Sequence, residues 1–253
     1  MGEAPLRLYH DLAWLWPLWE DPDEYGPEGE HAAALVRRYS QIPAQTLLDM
    51  GCGGGKNAFH LKRHFAVTGI GLSQEMLEHA RRLNPECAFL MADMRSCQLD
   101  TQFDCVLVDD AITGMNTRAD FAAVLQTAFR HLRPGGVMIT GPDDTTETFE
   151  QNRTRVSTAS SRFKPDNLEV VFVENQYDPD PTDEATEFTV IYLIREDGKL
   201  RIETDGGVDG LFPLEVWRST LRETGFEVHE ECSPVSPSGA PTFACVKPGA
   251  EGR

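Results

Sequence analysis

The strongest constraint on the fold is a regular alternation between Thr46 and Thr140, where short apolar runs alternate with amphipathic segments of helical period. Runs this continuously apolar are typical of strands buried on both faces, and the helices between them supply the crossovers of a parallel sheet. The predicted fold class is therefore α/β, a doubly wound Rossmann-like sheet. The runs are TLLDM (46–50), AVTGI (66–70), CAFLMA (87–92), FDCVLV (103–108) and VMIT (137–140).

The segments between these strands carry helix signals. NAFHLKRHF (57–65) follows a glycine-rich turn, and Ser73 is a good N-cap for QEMLEHARRLN, which Pro85 stops. ADFAAVLQTAFRHL (119–132) is amphipathic, and we expect RPGG (133–136) to end it. The pattern therefore predicts helices after the first, second and fourth of these strands.

The end of the chain returns to the same sheet. Pro213 suits the first turn of a helix, PLEVWRSTLRET, and Gly225 suits the cap at its end. FEVHEE (226–231) and TFACV (242–246) then predict a closing antiparallel hairpin.

The rhythm breaks over residues 142–212, which predict an inserted antiparallel β layer. LEVVFVEN (168–175), EFTVIYLIRE (187–196) and KLRIET (199–204) are strands of the antiparallel sort, and Asp197-Gly198 is a hairpin turn. We expect this layer to cover the carboxyl ends of the parallel strands, where open α/β sheets bind ligands.

The N-terminal segment and the insertion suggest a division of the chain. Residues 1–40 hold LAWLWPLW, the polar EDPDEYGPEGE and HAAALVRRY, which we interpret as two helical pieces flanking a turn. Trp14, Trp16 and Trp19 are consistent either with a core stripe or with a lid. The predicted domains are an N-terminal helical cap at 1–40, a core at 41–141 and 213–253, and the insertion at 142–212.

Composition limits the partners. The formal net charge of −18 over 253 residues argues against a nucleic-acid partner or an anionic membrane, since affinity for both rests on Lys and Arg. The six cysteines form no CxxC pair, and we find neither a signal peptide nor an apolar run of membrane-spanning length. A cytoplasmic protein is therefore expected. His60 and His64 lack a third ligand, so no metal site is predicted.

The glycine turn LLDMGCGGGKN (47–57) allows three interpretations. A P-loop fails at Met50 and Asn57, which replace its first glycine and its magnesium-binding hydroxyl. A dinucleotide fingerprint begins well but meets Lys56 at its third glycine, and the acid expected after the second strand is missing. This leaves a nicotinamide-dependent oxidoreductase as one alternative. The third pattern, Asp-x-Gly-x-Gly-x-Gly, is complete in Asp49, Gly51, Gly53 and Gly55.

In this third pattern the chain resembles the class I S-adenosylmethionine-dependent methyltransferases. The resemblance covers residues 46–141 closely and 213–247 in architecture, and its further marks are ADM (92–94), FDCVLVDD (103–110) and HLRPGG (131–136). The insertion and the aromatic N-terminus look like those of small-molecule enzymes such as the sugar-amine N-methyltransferases. The resemblance implies S-adenosyl-L-methionine as cofactor and methyl transfer to an N or O atom of a small-molecule acceptor; it leaves a monomer and a homodimer open.

The resemblance also implies roles for individual residues. Asp93 would accept a hydrogen bond from the adenine amino group, Asp109 would stand near the cofactor amino group, and Asp110 and Tyr9 are the catalytic candidates. We expect Cys52 to be a small residue of the turn rather than a nucleophile. The implied cofactor-binding residues are Tyr9, Asp49, Gly51, Cys52, Gly53, Gly55, Gly71, Leu72, Ser73, Asp93, Met94 and Asp109.

Gly71 departs from the family pattern. That position usually carries the acid that holds the ribose hydroxyls, and Ser73, Gln74 and Glu75 are the nearest replacements. We expect compensated or weakened cofactor binding. The alternative from another functional class is a binding module that kept the methyltransferase fold and lost turnover.

Overall fold

A computed structural model describes residues 6–19, 21–159, 163–233, 236 and 238–249. Its α-helices are α1 (Trp16–Trp19), α2 (Gly26–Tyr39), α3 (Lys56–Leu61), α4 (Gln74–Leu83), α5 (Arg118–His131) and α6 (Leu214–Thr224). Its strands are β1 (Thr46–Met50), β2 (Ala66–Gly71), β3 (Ala88–Met91), β4 (Phe103–Val108), β5 (Leu132–Thr140), β6 (Arg153–Thr158), β7 (Leu168–Tyr177), β8 (Ala185–Glu196), β9 (Lys199–Gly210), β10 (Glu227–Glu231) and β11 (Thr242–Val246).

Seven strands form the central sheet, in the order β10-β11-β5-β4-β1-β2-β3. β1 to β5 pair in parallel, while β11 runs antiparallel to both β5 and β10. The doubly wound Rossmann-like sheet with a closing antiparallel hairpin is thereby confirmed. Because β1 has β2 on one side and β4 on the other, the chain changes direction across the sheet there, and such a switch point opens a ligand crevice at the carboxyl ends.

The inserted antiparallel layer is also confirmed, as a second sheet of order β6-β7-β8-β9. Asp197 and Gly198 join β8 to β9 with φ of 50° and 78°, the left-handed geometry that a two-residue hairpin turn requires. β6 was not predicted, because its polar sequence RTRVST is mostly exposed and lacks an apolar alternation.

One face of the second sheet packs against the N-terminal segment. Phe172 and Tyr192 lie there in an apolar cluster with leucines 8, 12, 15 and 18, and the Trp19 ring stacks on Phe172 with centroids 5.0 Å apart. Trp19 therefore packs against the core, which is the first of the two roles considered for the three tryptophans.

The second sheet lies at the carboxyl ends of the parallel strands, as predicted. Its strand β9 packs against the 3-10 turn Ala111–Gly114, which directly follows β4. At Gly210 the approach is so close that an added Cβ would lie 2.4 Å from the Met115 carbonyl oxygen. The cleft between the two sheets is thus built where the parallel strands end.

Three local predictions were wrong. EDPDEYGPEGE is not a turn between helices: the Asp21 side chain caps a 3-10 helix at Pro22–Tyr25, and α2 already begins at Gly26. The helix predicted over 57–65 ends at Leu61. RPGG lies inside β5, where the Gly135 N–H donates to the Lys247 carbonyl and the Lys247 N–H donates to the Gly136 carbonyl.

The two ends of α6 were predicted with different success. Pro213 is the cap of α6 rather than its first residue, while Gly225 caps the other end with φ of 106° as expected. The predicted domains include residues 1–5, 160–162 and 250–253, which lie outside the described residues. Over the described ranges, none of the helices combines the length and apolarity that a membrane span requires.

Candidate functional site

The glycine turn joins β1 to α3 through three left-handed residues. Gly51, Gly53 and Gly55 have φ of 84°, 49° and 83°, which side chains other than glycine rarely adopt. A Cβ on Gly51 would also lie 2.3 Å from the Cβ of Ala111. The backbone of this turn can therefore come close to a ligand, and each of these glycines is required by its conformation.

Asp49, the last but one residue of β1, is 1% exposed, and its Oδ2 atom has no hydrogen-bond partner among the described residues. Burial, with the nearby charges of Asp109 and Asp110, raises the pKa of Asp49 to about 7. A buried acceptor without a partner costs free energy, so this oxygen is poised for a donor from a ligand.

Two aspartates stand at the end of β4. Asp109 accepts a 3.2 Å hydrogen bond from the Asn57 amide, and burial beside Asp110 raises its pKa to about 7. Asp110 has φ 43° and ψ −61° and forms the centre of a γ-turn that the Ala111 N–H closes onto the Asp109 carbonyl. Such a turn is strained, and strain of this kind clusters at functional sites.

Lys56, directly after the glycine turn, forms an ion pair with one of these aspartates, Asp110. Its Nζ lies 2.6 Å from Asp110 Oδ2 and 3.8 Å from the centre of the Tyr25 ring. Sequence reasoning noticed Lys56 only as a mismatch to other motifs, although its position directly after the last glycine was a usable signal.

The residues expected around adenine follow β2 and β3, whose ends are joined by a 3.0 Å bond from Ala92 N–H to the Gly71 carbonyl. Leu72 is 65% exposed, and Met94 is buried. Asp93 already has a partner, because Arg95 bonds both of its carboxylate oxygens, and this guanidinium lowers the pKa of Asp93.

Comparisons with known proteins agree with this geometry. The sequence profile of a methyltransferase domain matches residues 47–136. The chain is 32% identical over 232 residues to the dTDP-3-amino-3,6-dideoxy-alpha-D-glucopyranose N,N-dimethyltransferase of Streptomyces fradiae, covering 90% of this chain and 87% of that protein. The chain belongs to the S-adenosylmethionine-dependent methyltransferase family.

Solved structures match the fold of this methyltransferase along almost its whole length. Streptomyces venezuelae DesVI has a TM-score of 0.79 at 27% identity, with 95% of this chain and 97% of that chain covered. The S-adenosylmethionine-bound amino pentose methyltransferase CalS10 of Micromonospora echinaspora has a TM-score of 0.77 at 21% identity, covering 98% and 99%. The chain is therefore an enzyme that transfers a methyl group from S-adenosyl-L-methionine to an N or O atom of a small molecule. A nicotinamide oxidoreductase and a binding module without turnover are both set aside.

Around Gly71, the three residues expected to replace its missing carboxylate have other contacts. Ser73 caps α4 by accepting from the Met76 N–H at 3.0 Å, and its hydroxyl donates to the Tyr9 carbonyl. Gln74 bonds Glu78, and Glu75 lies 3.3 Å from the Ser73 hydroxyl. Ser73 is thus committed to the helix and to the N-terminal segment.

Cys52 lies inside the glycine turn and is buried, and burial raises the pKa of its thiol well above the usual range. The thiolate is the nucleophilic form of cysteine, so a thiol held protonated is a poor nucleophile. In this position Cys52 acts as a small packing residue.

The N-terminal segment reaches the site through two aromatic rings. Trp16 lies over the glycine turn, with ring atoms 3.3 Å and 2.3 Å from the positions that a Cβ on Gly53 and Gly54 would occupy. Tyr9 is 39% exposed, and its ring centre lies 6.1 Å from that of Trp16. Trp16 therefore behaves as a cover of the turn, Trp19 as core, and Trp14 remains 38% exposed.

Sequence reasoning missed an acidic wall on the other side of the cleft, made by Asp143, Glu174 and Asp209. Asp143 follows β5, and burial together with the charges of Asp110 and Asp109 raises its pKa well above the usual range. Burial beside Glu174 raises the pKa of Asp209 to about 6. The Asp143 side chain is exposed to solvent although many protein atoms surround it, and Asp209 is half-buried, so neither belongs to the core. These residues come from three separate segments, so no local motif marked them.

Proposed function

We propose that this methyltransferase methylates the amino group of a nucleotide-linked amino sugar. The proposal is carried by a cluster of carboxylates: Lys56 is paired with Asp110 and acts electrostatically on Asp49, Asp109 and Asp143, and Asp209 lies near Asp143. Such a field favours a cationic acceptor and disfavours a carboxylate acceptor. The S. fradiae relative, which is named for an N,N-dimethyl transfer to an amino sugar, supports the same choice.

The residues present fit the cofactor. S-adenosyl-L-methionine, when bound, supplies a methyl group on a positively charged sulfur, which needs no further activation. The left-handed glycine turn at Gly51 and Gly53 would receive its methionine part beneath Trp16, and the unpartnered Oδ2 of Asp49 offers its ammonium group an acceptor. Asp109 would share that ammonium group, while Asp93 and Met94 would hold the adenine.

The remaining role of the protein is alignment and exclusion of water. Asp110 would face the transferred methyl, since its γ-turn and the Lys56 ion pair hold it at the end of β4. Tyr9 and Trp16 would close the site from the N-terminal segment. Leu72 would lie against the adenine, where its exposed side chain is free to pack.

A comparison of three separate acceptors tests the proposed function. The enzyme receives S-adenosylmethionine with dTDP-3-amino-3,6-dideoxy-α-D-glucose, with the matching 3-hydroxy sugar, or with a tricarboxylate, and S-adenosylhomocysteine release is measured. We expect turnover with the amine only. Turnover of the hydroxy sugar or the tricarboxylate, with none of the amine, would refute the proposal.

Removing the adenine acceptor should weaken cofactor binding. Asp93→Ala deletes one hydrogen bond to a carboxylate, and a bond of that kind contributes ~1.5–3 kcal/mol, or about tenfold in affinity or more. Calorimetry with S-adenosylhomocysteine measures the change. Asp100→Ala, an exposed acid on the same connection, is the control and should bind normally. An unchanged dissociation constant for Asp93→Ala would remove that role.

The raised pKa of Asp49 predicts a pH-dependent stability difference. A carboxyl whose folded pKa is about 7 instead of 3.8 favours the folded state while protonated, and this contribution is lost as pH rises through about 7. Asp49→Asn should therefore gain stability over the wild type as pH rises from 5 to 8, by roughly 3 kcal/mol, because about 1.4 kcal/mol is lost for each pH unit between 5 and the folded pKa. Urea unfolding at several pH values measures this, and an equal difference at every pH would contradict it. Saturating S-adenosylhomocysteine should shrink the difference.

The second sheet also supports a homodimer. Its outer face carries apolar side chains in register across all four strands, with Val156 and Ile202 exposed by 65% and 57%. A contiguous exposed apolar face of this kind marks an interaction surface. Ile202→Lys should shift sedimentation equilibrium toward the monomer, whereas a monomeric wild type would exclude the homodimer. The face comprises Val156, Val171, Val173, Ile191, Leu193 and Ile202.

The absence of nucleic-acid and membrane partners and the cytoplasmic location stay predictions.

A further inference from the structure

Two carboxylates of the acidic wall have no hydrogen-bond or ion-pair partner within the described part of the chain. Asp143 lies in the loop after β5, and its backbone carbonyl, not its side chain, accepts a bond from the Ser238 hydroxyl. Asp209 lies near the end of β9, opposite Thr186 on β8. Neither side chain therefore holds the two sheets together.

The surrounding charges do not neutralise these two groups. Asp143 faces Asp109 and Asp110 from the end of β4, and it also faces Asp209. Lys56 brings a positive charge to the same place, but its Nζ is already 2.6 Å from Asp110 Oδ2. Several carboxylates held close together in a protein resist full ionisation unless a cation joins them.

Asp49 provides an independent observation. Its Oδ2 is buried, faces the same aspartates at the end of β4, and has no partner among the described residues. A folded protein rarely leaves such an oxygen unpaired unless a ligand completes it. The described cations nearby are already paired, Lys56 with Asp110 and Arg153, which also faces Glu174, with Asp144. Asp49 Oδ2 and the Asp143 and Asp209 carboxylates therefore have no bonded cation of their own among the described residues.

The ammonium group of the cofactor would supply the positive charge at Asp49. The ammonium group of the acceptor would supply the positive charge at the acidic wall. We propose that Asp143 and Asp209 bind the ammonium group of the acceptor, and that Asp143 takes its proton before methyl transfer. This inference rests on the proposed function, since it requires an amine acceptor.

An acceptor ammonium ion gives one proton to the Asp143 carboxylate, which leaves a neutral amine and a protonated carboxyl. The nitrogen lone pair then forms the new N–C bond while the S–C bond of the cofactor breaks, and its electron pair stays on sulfur. The product is a methylammonium ion, which must lose a proton again if a second methyl is added.

Asp143 suits proton transfer better than its neighbours do. Asp110 is held by Lys56, and Asp109 is bonded by Asn57, whereas the Asp143 side chain keeps both oxygens free within the described structure. The protein packed around Asp143, together with the charges of Asp110, Asp109 and Asp209, raises its pKa, and this makes its carboxylate a better proton acceptor than an ordinary aspartate. Asp209, whose neighbour is Glu174, would position the cation.

The test uses the variants Asp143→Asn and Asp209→Asn. The control is Glu187→Gln, which removes one charge from the exposed neighbour of Thr186 on β8. Calorimetry on enzyme loaded with S-adenosylhomocysteine measures the affinity for dTDP-3-amino-3,6-dideoxy-α-D-glucose and for its 3-hydroxy counterpart. We expect each wall variant to bind the amine about tenfold more weakly, as for a lost bond to a charged group, and the hydroxy sugar as before. Glu187→Gln should leave the affinity for both sugars unchanged.

Turnover separates proton transfer from binding. With Asp143→Asn, kcat should fall and then recover as pH rises, because hydroxide in solution replaces the missing base; with Asp209→Asn, KM should rise more than kcat falls. Both variants should melt at or above the wild-type temperature, since a repulsive charge is removed. Wall variants that keep amine affinity and kcat would overturn this inference alone. A wild type that neither binds nor methylates an amino sugar would overturn the proposed function and this inference with it.

Discussion

Gly51→Ala is expected to abolish measurable binding of S-adenosylmethionine while the rest of the fold persists. The backbone at Gly51 has φ of 84°, and an added Cβ would lie 2.3 Å from the Cβ of Ala111, so the glycine turn and the end of β4 must move apart. The left-handed conformation alone costs a side chain roughly 1–2 kcal/mol. Misplacement of the turn removes several cofactor contacts together, so we expect affinity to fall by about a hundredfold or more.

Calorimetry with S-adenosylhomocysteine measures this loss, and circular dichroism reports whether the fold is retained. Gly114→Ala is the matched control, because it adds the same methyl group to the 3-10 turn after β4, where no atom lies within 4 Å. The control should bind normally. A Gly51→Ala enzyme with wild-type affinity would show that the turn does not contact the cofactor.

Gly71→Asp is expected to tighten S-adenosylmethionine binding by about tenfold or more. Two charge-assisted bonds from the new carboxylate to the ribose hydroxyls would contribute ~1.5–3 kcal/mol each, and desolvation of the carboxylate would offset part of that gain. The site has room, because a Cβ on Gly71 would meet Leu77 Cδ2 at 3.5 Å and Cys52 Sγ at 3.9 Å, both ordinary contacts. The N-terminus of α4 nearby further favours a negative charge.

The comparison of ligands isolates the ribose contact. The gain should persist for adenosine and vanish for methionine, and Gly71→Ala, which adds the Cβ without a carboxylate, should show no gain. If Gly71→Asp instead binds the cofactor more weakly, the ribose edge is built differently from the family pattern and glycine is needed there for close backbone approach.

The parallel core could be predicted because its signals are local. Asp49, Gly51 and Gly55 stand in one short motif, and Ser73 caps α4 by accepting from a backbone N–H three residues later. Local signals failed at RPGG, because Pro134 and Gly135 are typical of a loop. Pairing with β11, and with Lys247 directly after β11, keeps this segment in β5.

The acceptor side of the cleft could not be predicted in the same way. Asp143 and Asp209 are 66 residues apart by their numbers, and only the packing of β9 on the turn after β4 brings both to the cleft. Trp16 reaches the glycine turn because the N-terminal segment is held on the second sheet by its leucines. Lys56 was visible in the sequence, but its ion pair with Asp110 depends on the γ-turn at the end of β4.

The most direct test of the central claim follows the methyl group itself. The enzyme is incubated with S-adenosylmethionine carrying an isotope-labelled methyl and with dTDP-3-amino-3,6-dideoxy-α-D-glucose, and NMR identifies the atom that receives the label. We expect a labelled methyl bonded to the sugar nitrogen, with one S-adenosylhomocysteine formed for each methyl added. A label found on an oxygen atom, or cofactor cleavage without any labelled sugar, would contradict the proposed methyl transfer to nitrogen.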